Sequence, residues 1–170
     1  SVVGNRGMAS ALVDIGGSSE LAIGQKPGKQ GPRPWSIGLL DPRSSRVFGR
    51  LELAPGEAAS TSGDYERGYE RDGRRYHHIL DPVTGQPTAA TASVTVLAGD
   101  AELADAASTA LMVAGPDRFR EVGAALGIDD ALLVTTTGEV VATPGMATRL
   151  QRDNGGRIPA PDWQPGNPDL

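Results

Sequence analysis

Asp105 and Thr109 stand four residues apart in Ala101 to Ala114, a segment whose composition reads as helix. One helical turn separates them, so both side chains project from the same side. A carboxylate and a hydroxyl stacked on a rigid support offer two hard oxygen ligands. Magnesium prefers such ligands, keeps several waters and is commonly shared with substrate phosphates. A solvated polar face has the same spacing, because polar pairs four apart are common on helices. Met112 falls on the same stripe among small residues, which would put that face partly under cover. Leu103, Ala107, Ala110 and Ala114 form the roughly opposite stripe.

The two histidines of the chain, His77 and His78, are adjacent in the run Tyr76-His77-His78-Ile79-Leu80-Asp81-Pro82. Neighbours on a strand point to opposite faces, so the two rings cannot easily share a metal. One would face a site and the other solvent. An imidazole suits proton transfer or a hydrogen bond to phosphate; a ring satisfied by backbone groups is the structural alternative. Gly16-Gly17 after a strand lets amides approach a phosphate, or makes a plain tight turn. Ser62-Gly63-Asp64-Tyr65 reads as a loop whose aromatic could stack on a purine, or as a strand entry. The chain has no G-x-G-x-x-G, P-loop, G-x-S-x-G, H-E-x-x-H or C-x-x-C pattern. Serine-hydrolase, zincin and thiol-redox chemistry therefore have no support.

These residues need elements to hold them. Alternation predicts strands at Ala11 to Ile15, Trp35 to Leu39, Val47 to Leu53 and Ser93 to Leu97, with Glu20 to Ile23 continuing the first beyond its glycines. Asp72-Gly73 predicts a two-residue hairpin flanked by Tyr65 to Glu70 and Arg74 to Ile79. Gln25 to Pro34 reads as an exposed loop, and Asp81 to Gly85 as a turn. Asp100 is placed to cap the helix, Gly115-Pro116 to stop it, and a second helix runs from Pro116 to Leu126 with Gly127 after its end. Ala131 to Thr136 and Glu139 to Thr143 close a hairpin around Thr137-Gly138. The order of strands and helices predicts an α+β domain over residues 1–150, with a mixed or antiparallel sheet and helices on one face. From Gln151 onward the richness in Pro, Gly, Asn and Asp predicts a disordered tail, 151–170.

Composition sets outer bounds. The 170 residues, 38% hydrophobic and 22% charged, suffice for one domain with a real core. A net charge of −5 argues against broad nucleic-acid binding. With no cysteine, disulfides, thiolate metal sites and cysteine nucleophiles are excluded. No run of about 18 apolar residues is present. The opening, with no initiator Met and an apolar strand almost at once, suggests a truncated or processed chain.

Six segments, taken together and in order, carry a family resemblance. They are Ala11 to Gly17 (ALVDIGG), Trp35 to Gly38 (WSIG), Thr61 to Arg67 (TSGDYER), Tyr76 to Pro82 (YHHILDP) with Thr84-Gly85, Ser93 to Val96 (SVTV), and Ala104 to Leu111 (ADAASTAL). The chain resembles the ApbE family of FAD:protein FMN transferases from about Ala11 to Val141. The resemblance implies an ApbE-like, T-fold-like domain incomplete at its N-terminus. It implies a magnesium-dependent enzyme that moves FMN from FAD onto a Thr or Ser hydroxyl of an acceptor protein and releases AMP. Asp105 and Thr109 fall on the family's magnesium-ligating side chains, and His78 on its functionally important histidine beside the FAD phosphates. Gly16, Gly17, Ser62, Gly63, Tyr65, His78, Ile79 and Asp81 are the residues the resemblance places at the flavin nucleotide. Ser18 stands where the family usually has an acidic residue, and Asp14 where it usually has Asn. The family's N-terminal half, with a lysine-bearing glycine-rich segment, is the expected missing partner. Without it, weak FAD binding and little activity are expected. Two alternatives remain open at this stage: hydrolysis of FAD to FMN and AMP at the same metal site, and a non-catalytic flavin-binding module. An extracytoplasmic, lipid-anchored location is expected by the same analogy.

Overall fold

The computed structural model describes residues 7–152. Its centre is a six-stranded antiparallel sheet. The strands are β1 (Ala11–Ile15), β2 (Ser19–Ile23), β5 (Ala58–Gly63), β8 (Thr91–Ala98), β9 (Asp130–Thr135) and β10 (Val140–Ala142), in the order β1-β2-β5-β8-β9-β10. β3 (Trp35–Leu40), β4 (Val47–Leu53) and the two-residue β11 (Gln151–Arg152) form a second sheet. β6 (Gly68–Arg71) and β7 (Arg74–His77) form a separate hairpin. The long helix α1 (Ala101–Ala125) packs on the main sheet, and the short α2 (Pro144–Arg149) follows β10.

Period-two alternation sorts the two cores. Ala131 and Leu133 of β9 join Val94, Val96, Leu111, Met112 and Phe119 beneath α1. Leu132 and Val134, the intervening residues, join Ile37, Leu51, Leu53 and Met146 on the opposite face. β8 lies between covered faces, and seven of its eight residues are buried. That explains why it reads as a nearly continuous apolar and hydroxyl run.

Most expected elements are present, with three differences. Glu20 to Ile23 does not extend β1 but returns beside it, with Ile15 opposite Ser19. Gly16 and Gly17 have φ of 69° and 75°, a conformation that reverses the chain and that glycine adopts without steric cost. β5 stands as a separate strand, ahead of a hairpin that is shorter than expected. The tail expected from Gln151 begins instead with β11, where Gln151 and Arg152 pair with Arg50 and Gly49; the rest of that segment lies outside the described residues. The helix break is where the sequence put it: Gly115 has φ 70° and ψ 178°, and Pro116 opens the following turn.

Arg149 at the end of α2 ties the ends of this scaffold together. Its guanidinium donates to Glu57 Oε1 and Oε2 at 2.8 and 2.6 Å and to Asp130 Oδ2 at 2.9 Å. The forked geometry suits a carboxylate. Those bonds hold the Glu57 carboxyl below the usual range, against an opposing effect of burial.

Candidate functional site

The phase of α1 is set at its first turn. The Asp100 carboxylate accepts from the N–H groups of Glu102 and Leu103 at 2.8 and 3.2 Å, closing two otherwise open donors. From that start, Ala104, Ala107, Ser108, Leu111 and Met112 turn into the sheet. Asp105 and Thr109 come to the exposed rim of the buried stripe. The stripe expected opposite them divides, with Ala107 buried and Leu103 38% exposed.

Beneath that rim lies a layer of hydroxyls. Ser60 and Ser62 sit on the α1-facing side of β5, opposite Val96 and Val94 of β8. Ser60 Oγ donates to Asp105 Oδ1 at 3.1 Å, and Ser19 Oγ lies 3.4 Å from the same oxygen. Ser62 Oγ is 3.0 Å from Thr109 Oγ1 and 2.8 Å from Ser108 Oγ. Asp105 and Thr109 are thus held side by side against one strand. Their donor set, one carboxylate and one hydroxyl at a rim open to solvent, fits a magnesium ion that retains waters and takes phosphate oxygens. Among the described residues no cluster of three or more His, Asp or Glu forms a larger metal cage. Ser62, implied as a nucleotide contact, has its hydroxyl on Ser108 and Thr109. Ser19, Ser60 and Ser108 were not singled out from sequence; the Ser60-x-Ser62 alternation on a strand was the one available signal.

The histidines divide as a strand requires. His77 is 7% exposed; Nε2 meets the Thr88 carbonyl at 2.8 Å and Nδ1 accepts the Ile79 N–H at 3.3 Å. A carbonyl can only accept, so His77 carries its proton on Nε2 and serves as a structural pin. His78 is exposed, and its Nδ1 meets the Arg67 carbonyl at 3.3 Å. By the same logic Nδ1 is the nitrogen that donates, which leaves Nε2 as the nitrogen facing away from the Arg67 carbonyl. His78 lines a cavity of about 580 Å³ with Arg67, Tyr69, Tyr76 and Gln86. Neither Asp105 nor Thr109 is in that wall. The link between them runs through β5: Ser62 touches Thr109, and Arg67, past the end of the strand, holds His78. Ile79 then buries in the cluster that contains Met112 of α1.

The remaining candidates have mostly internal partners. Ile79 is 5% exposed, and its N–H and carbonyl bond to His77 and Thr88. Asp81 Oδ1 accepts from the N–H groups of Val83 and Thr84 at 2.7 and 3.3 Å, which closes the turn after the histidines. Gly17 and Tyr65 line a narrow cleft of about 50 Å³ with Glu20, Thr61 and Thr95, on the side of the sheet away from α1. Glu20 is pushed up to about 7 there, chiefly by burial and secondly by Asp14. Burial also raises Tyr65. A side chain at Gly63 would meet the Tyr65 ring at 2.5 Å, so Gly63 is the space that lets this ring lie against β5. Gly16 forms the open tip of the β1–β2 turn.

Asp64, between Gly63 and Tyr65, is a buried anchor. It is 2% exposed and takes both Arg43 guanidinium nitrogens at 2.7 Å. Its carbonyl accepts Arg75 Nε of β7 at 2.9 Å. One residue therefore ties the β3–β4 turn and the histidine-bearing hairpin to the end of β5.

The same arrangement of elements is found in known proteins. The chain is 41% identical over 155 residues to a Rhodobacter capsulatus protein named FAD:protein FMN transferase, covering 91% of this chain and 28% of that one. A Treponema pallidum protein of the same name is 36% identical, covering 84% and 41%. Among solved structures, the ApbE protein of Thermotoga maritima matches with a TM-score of 0.72 at 42% identity, over 82% of this chain and 44% of that one. The flavinyl transferase ApbE of Pseudomonas stutzeri matches at 0.69 and 39%, over 87% and 47%. The chain thus spans less than half the length of each of these relatives. A family model described as the ApbE family covers residues 1–132, which contain both Asp105–Thr109 and His78. With sequence and fold in agreement, the chain belongs to the ApbE family.

Proposed function

We propose that the intact protein is a magnesium-dependent FAD:protein FMN transferase, and that Asp105, Thr109 and His78 act in the transfer. The observation that carries this reading is the placement of the Asp105 carboxylate and Thr109 hydroxyl side by side at an open rim, each held by a serine of β5. A bound magnesium ion would neutralise charge on the FAD pyrophosphate. The protein's own residues do the rest. Asp105 and Thr109 would supply the oxygens that hold that ion at the rim. His78, whose Nδ1 is engaged by the Arg67 carbonyl, takes the proton from the attacking Thr or Ser hydroxyl on Nε2. The hydroxyl oxygen bonds to the FMN phosphorus, the pyrophosphate bridge breaks, and AMP leaves with the bridging oxygen.

The test combines the intact protein, FAD, magnesium and an acceptor peptide with one hydroxyl residue, read by peptide mass and by AMP release. Asp105→Ala is expected to lower transfer by about 100-fold or more, the size of a lost charge-stabilising contact. Transfer at the unaltered rate in Asp105→Ala would refute the assignment.

A further inference from the structure

We propose that Ser62 is a positioning residue that orients the Thr109 hydroxyl for cation binding, and that Ser60 does the same for the Asp105 carboxylate. This rests on the magnesium site of the proposed function. The argument is a count of protons. A hydroxyl has one hydrogen to donate and two lone pairs. Ser108 Oγ donates to the Asp105 carbonyl at 2.9 Å, a common back-bond on helices. Its oxygen is then an acceptor for Ser62 at 2.8 Å. With the Ser62 proton so engaged, the 3.0 Å contact between Ser62 and Thr109 can be filled only by the Thr109 proton.

This arrangement places all three protons inside the layer, and the reverse one does not. Were Ser62 to donate to Thr109, Ser108 would turn to Ser62, and the Thr109 proton would face outward at the rim. A cation needs lone pairs there, and a proton aimed at it would repel it. The chain of bonds Thr109 to Ser62 to Ser108 to the Asp105 carbonyl therefore presents the Thr109 oxygen with lone pairs outward. Beside it, Ser60 and Ser19, 2.9 Å apart, both face Asp105 Oδ1, at 3.1 and 3.4 Å, and Ser60 Oγ also lies 3.2 Å from the Ser18 carbonyl, so the two hydroxyls share the carboxylate oxygen and that carbonyl as acceptors. Both serine contacts to the Asp105 carboxylate fall on the same oxygen, Oδ1. Two polar residues under a helix are otherwise unfavourable. Their cross-strand neighbours on the same face, Val94 and Val96, are the apolar residues that packing alone would select.

The experiment measures Mn²⁺ binding to the intact protein by electron paramagnetic resonance, for wild type, Ser62→Ala, Ser62→Thr, Thr109→Ala and Asp105→Ala. Partners that orient metal ligands typically change affinity about 10- to 100-fold when removed. Ser62→Ala is expected to weaken Mn²⁺ binding within that range, and Ser62→Thr, which restores the hydroxyl, to recover most of it. In the transfer assay, Ser62→Ala should raise the half-saturating magnesium concentration by a similar factor. Wild-type Mn²⁺ affinity in Ser62→Ala, or equal losses in the Ala and Thr variants, overturns the positioning role while Asp105→Ala and Thr109→Ala still lose the ion. If those two also bind Mn²⁺ normally, the magnesium site itself falls, and this inference with it.

Discussion

Removing Arg43 and removing the charge of Asp64 should not be equivalent, although the two residues form one ion pair. The Asp64 side chain is 3% exposed and the Arg43 side chain 41%. Asp64→Asn leaves Arg43 and Arg75 as cations that can turn to water, Arg75 being 33% exposed. That change removes charge-assisted bonds and should cost about 1–3 kcal/mol. Arg43→Ala leaves a carboxylate in a buried place with Arg75 Nε at 3.8 Å as its nearest remaining cation. Uncompensated buried charges cost about 3–5 kcal/mol, and the opening left by Arg43 admits some water, so about 2–4 kcal/mol is expected. The double variant should be less unstable than the sum of the singles, with a coupling energy of about 2 kcal/mol. Urea denaturation followed by circular dichroism measures all three values. Hydrogen exchange should show protection lost first in β6 and β7, because the Asp64 carbonyl holds Arg75. A coupling energy below about 0.5 kcal/mol, the level of exposed pairs, would refute the claim that this pair is a buried anchor.

Two further perturbations test the other side of the sheet. Glu20 is raised from 4.5 to about 7, so the native state binds its proton more tightly than the unfolded chain. Stability should therefore fall as pH rises from about 4.5 to 7 and level off above. Glu20→Gln should match wild type at pH 4 and exceed it by about 1–2 kcal/mol at pH 8, a figure reduced from the full shift because the side chain is partly solvated; equal thermal stabilities at pH 8 would count against it. Gly63→Ala would drive a methyl to 2.5 Å from the Tyr65 ring and should cost about 1–3 kcal/mol. Most of that loss should vanish in a Tyr65→Ala background, and a full loss there would show that the ring is not the obstacle.

Local signals found the elements whose character is local. Asp72 and Gly73 both have positive φ, at 52° and 72°, as their two-residue hairpin requires. Asp100 caps α1, and Gly115-Pro116 breaks it. β3 and β4 alternate buried and exposed residues in the way their sequences suggest. β5 was not separable because Ala58 to Gly63 contains no large apolar residue to mark a face. Its strand character comes from β2 and β8 on either side. β11 is two residues long, and its partner β4 lies about a hundred positions earlier, so nothing near Gln151 announces it. The same reason hid the hydroxyl layer. Asp105 and Thr109 were legible from helical spacing, but Ser19, Ser60 and Ser62 reach them across separations of 86, 45 and 47 residues.

The residues from Ala58 to Arg67 connect these scattered features along one stretch of chain. On β5 the alternation sends Ser60 and Ser62 toward α1, where they hold Asp105 and Thr109. It sends Thr61 to the other face, where its hydroxyl meets Thr95 at 2.9 Å. Gly63 then makes room for Tyr65 on that second face. Asp64 anchors Arg43 and Arg75, and the Arg67 carbonyl holds His78. A strand of small residues suits this task better than one of Val or Ile. Short side chains bring the helix close enough for hydroxyl contacts near 3 Å, and each hydroxyl adds a directional bond where a methyl would add only contact area. The apolar residues of β8 and β9 supply the burial that β5 gives up. The absence of a hydrophobic pattern in Ala58 to Gly63, which concealed the strand, is thus a consequence of its holding the residues proposed to carry the chemistry.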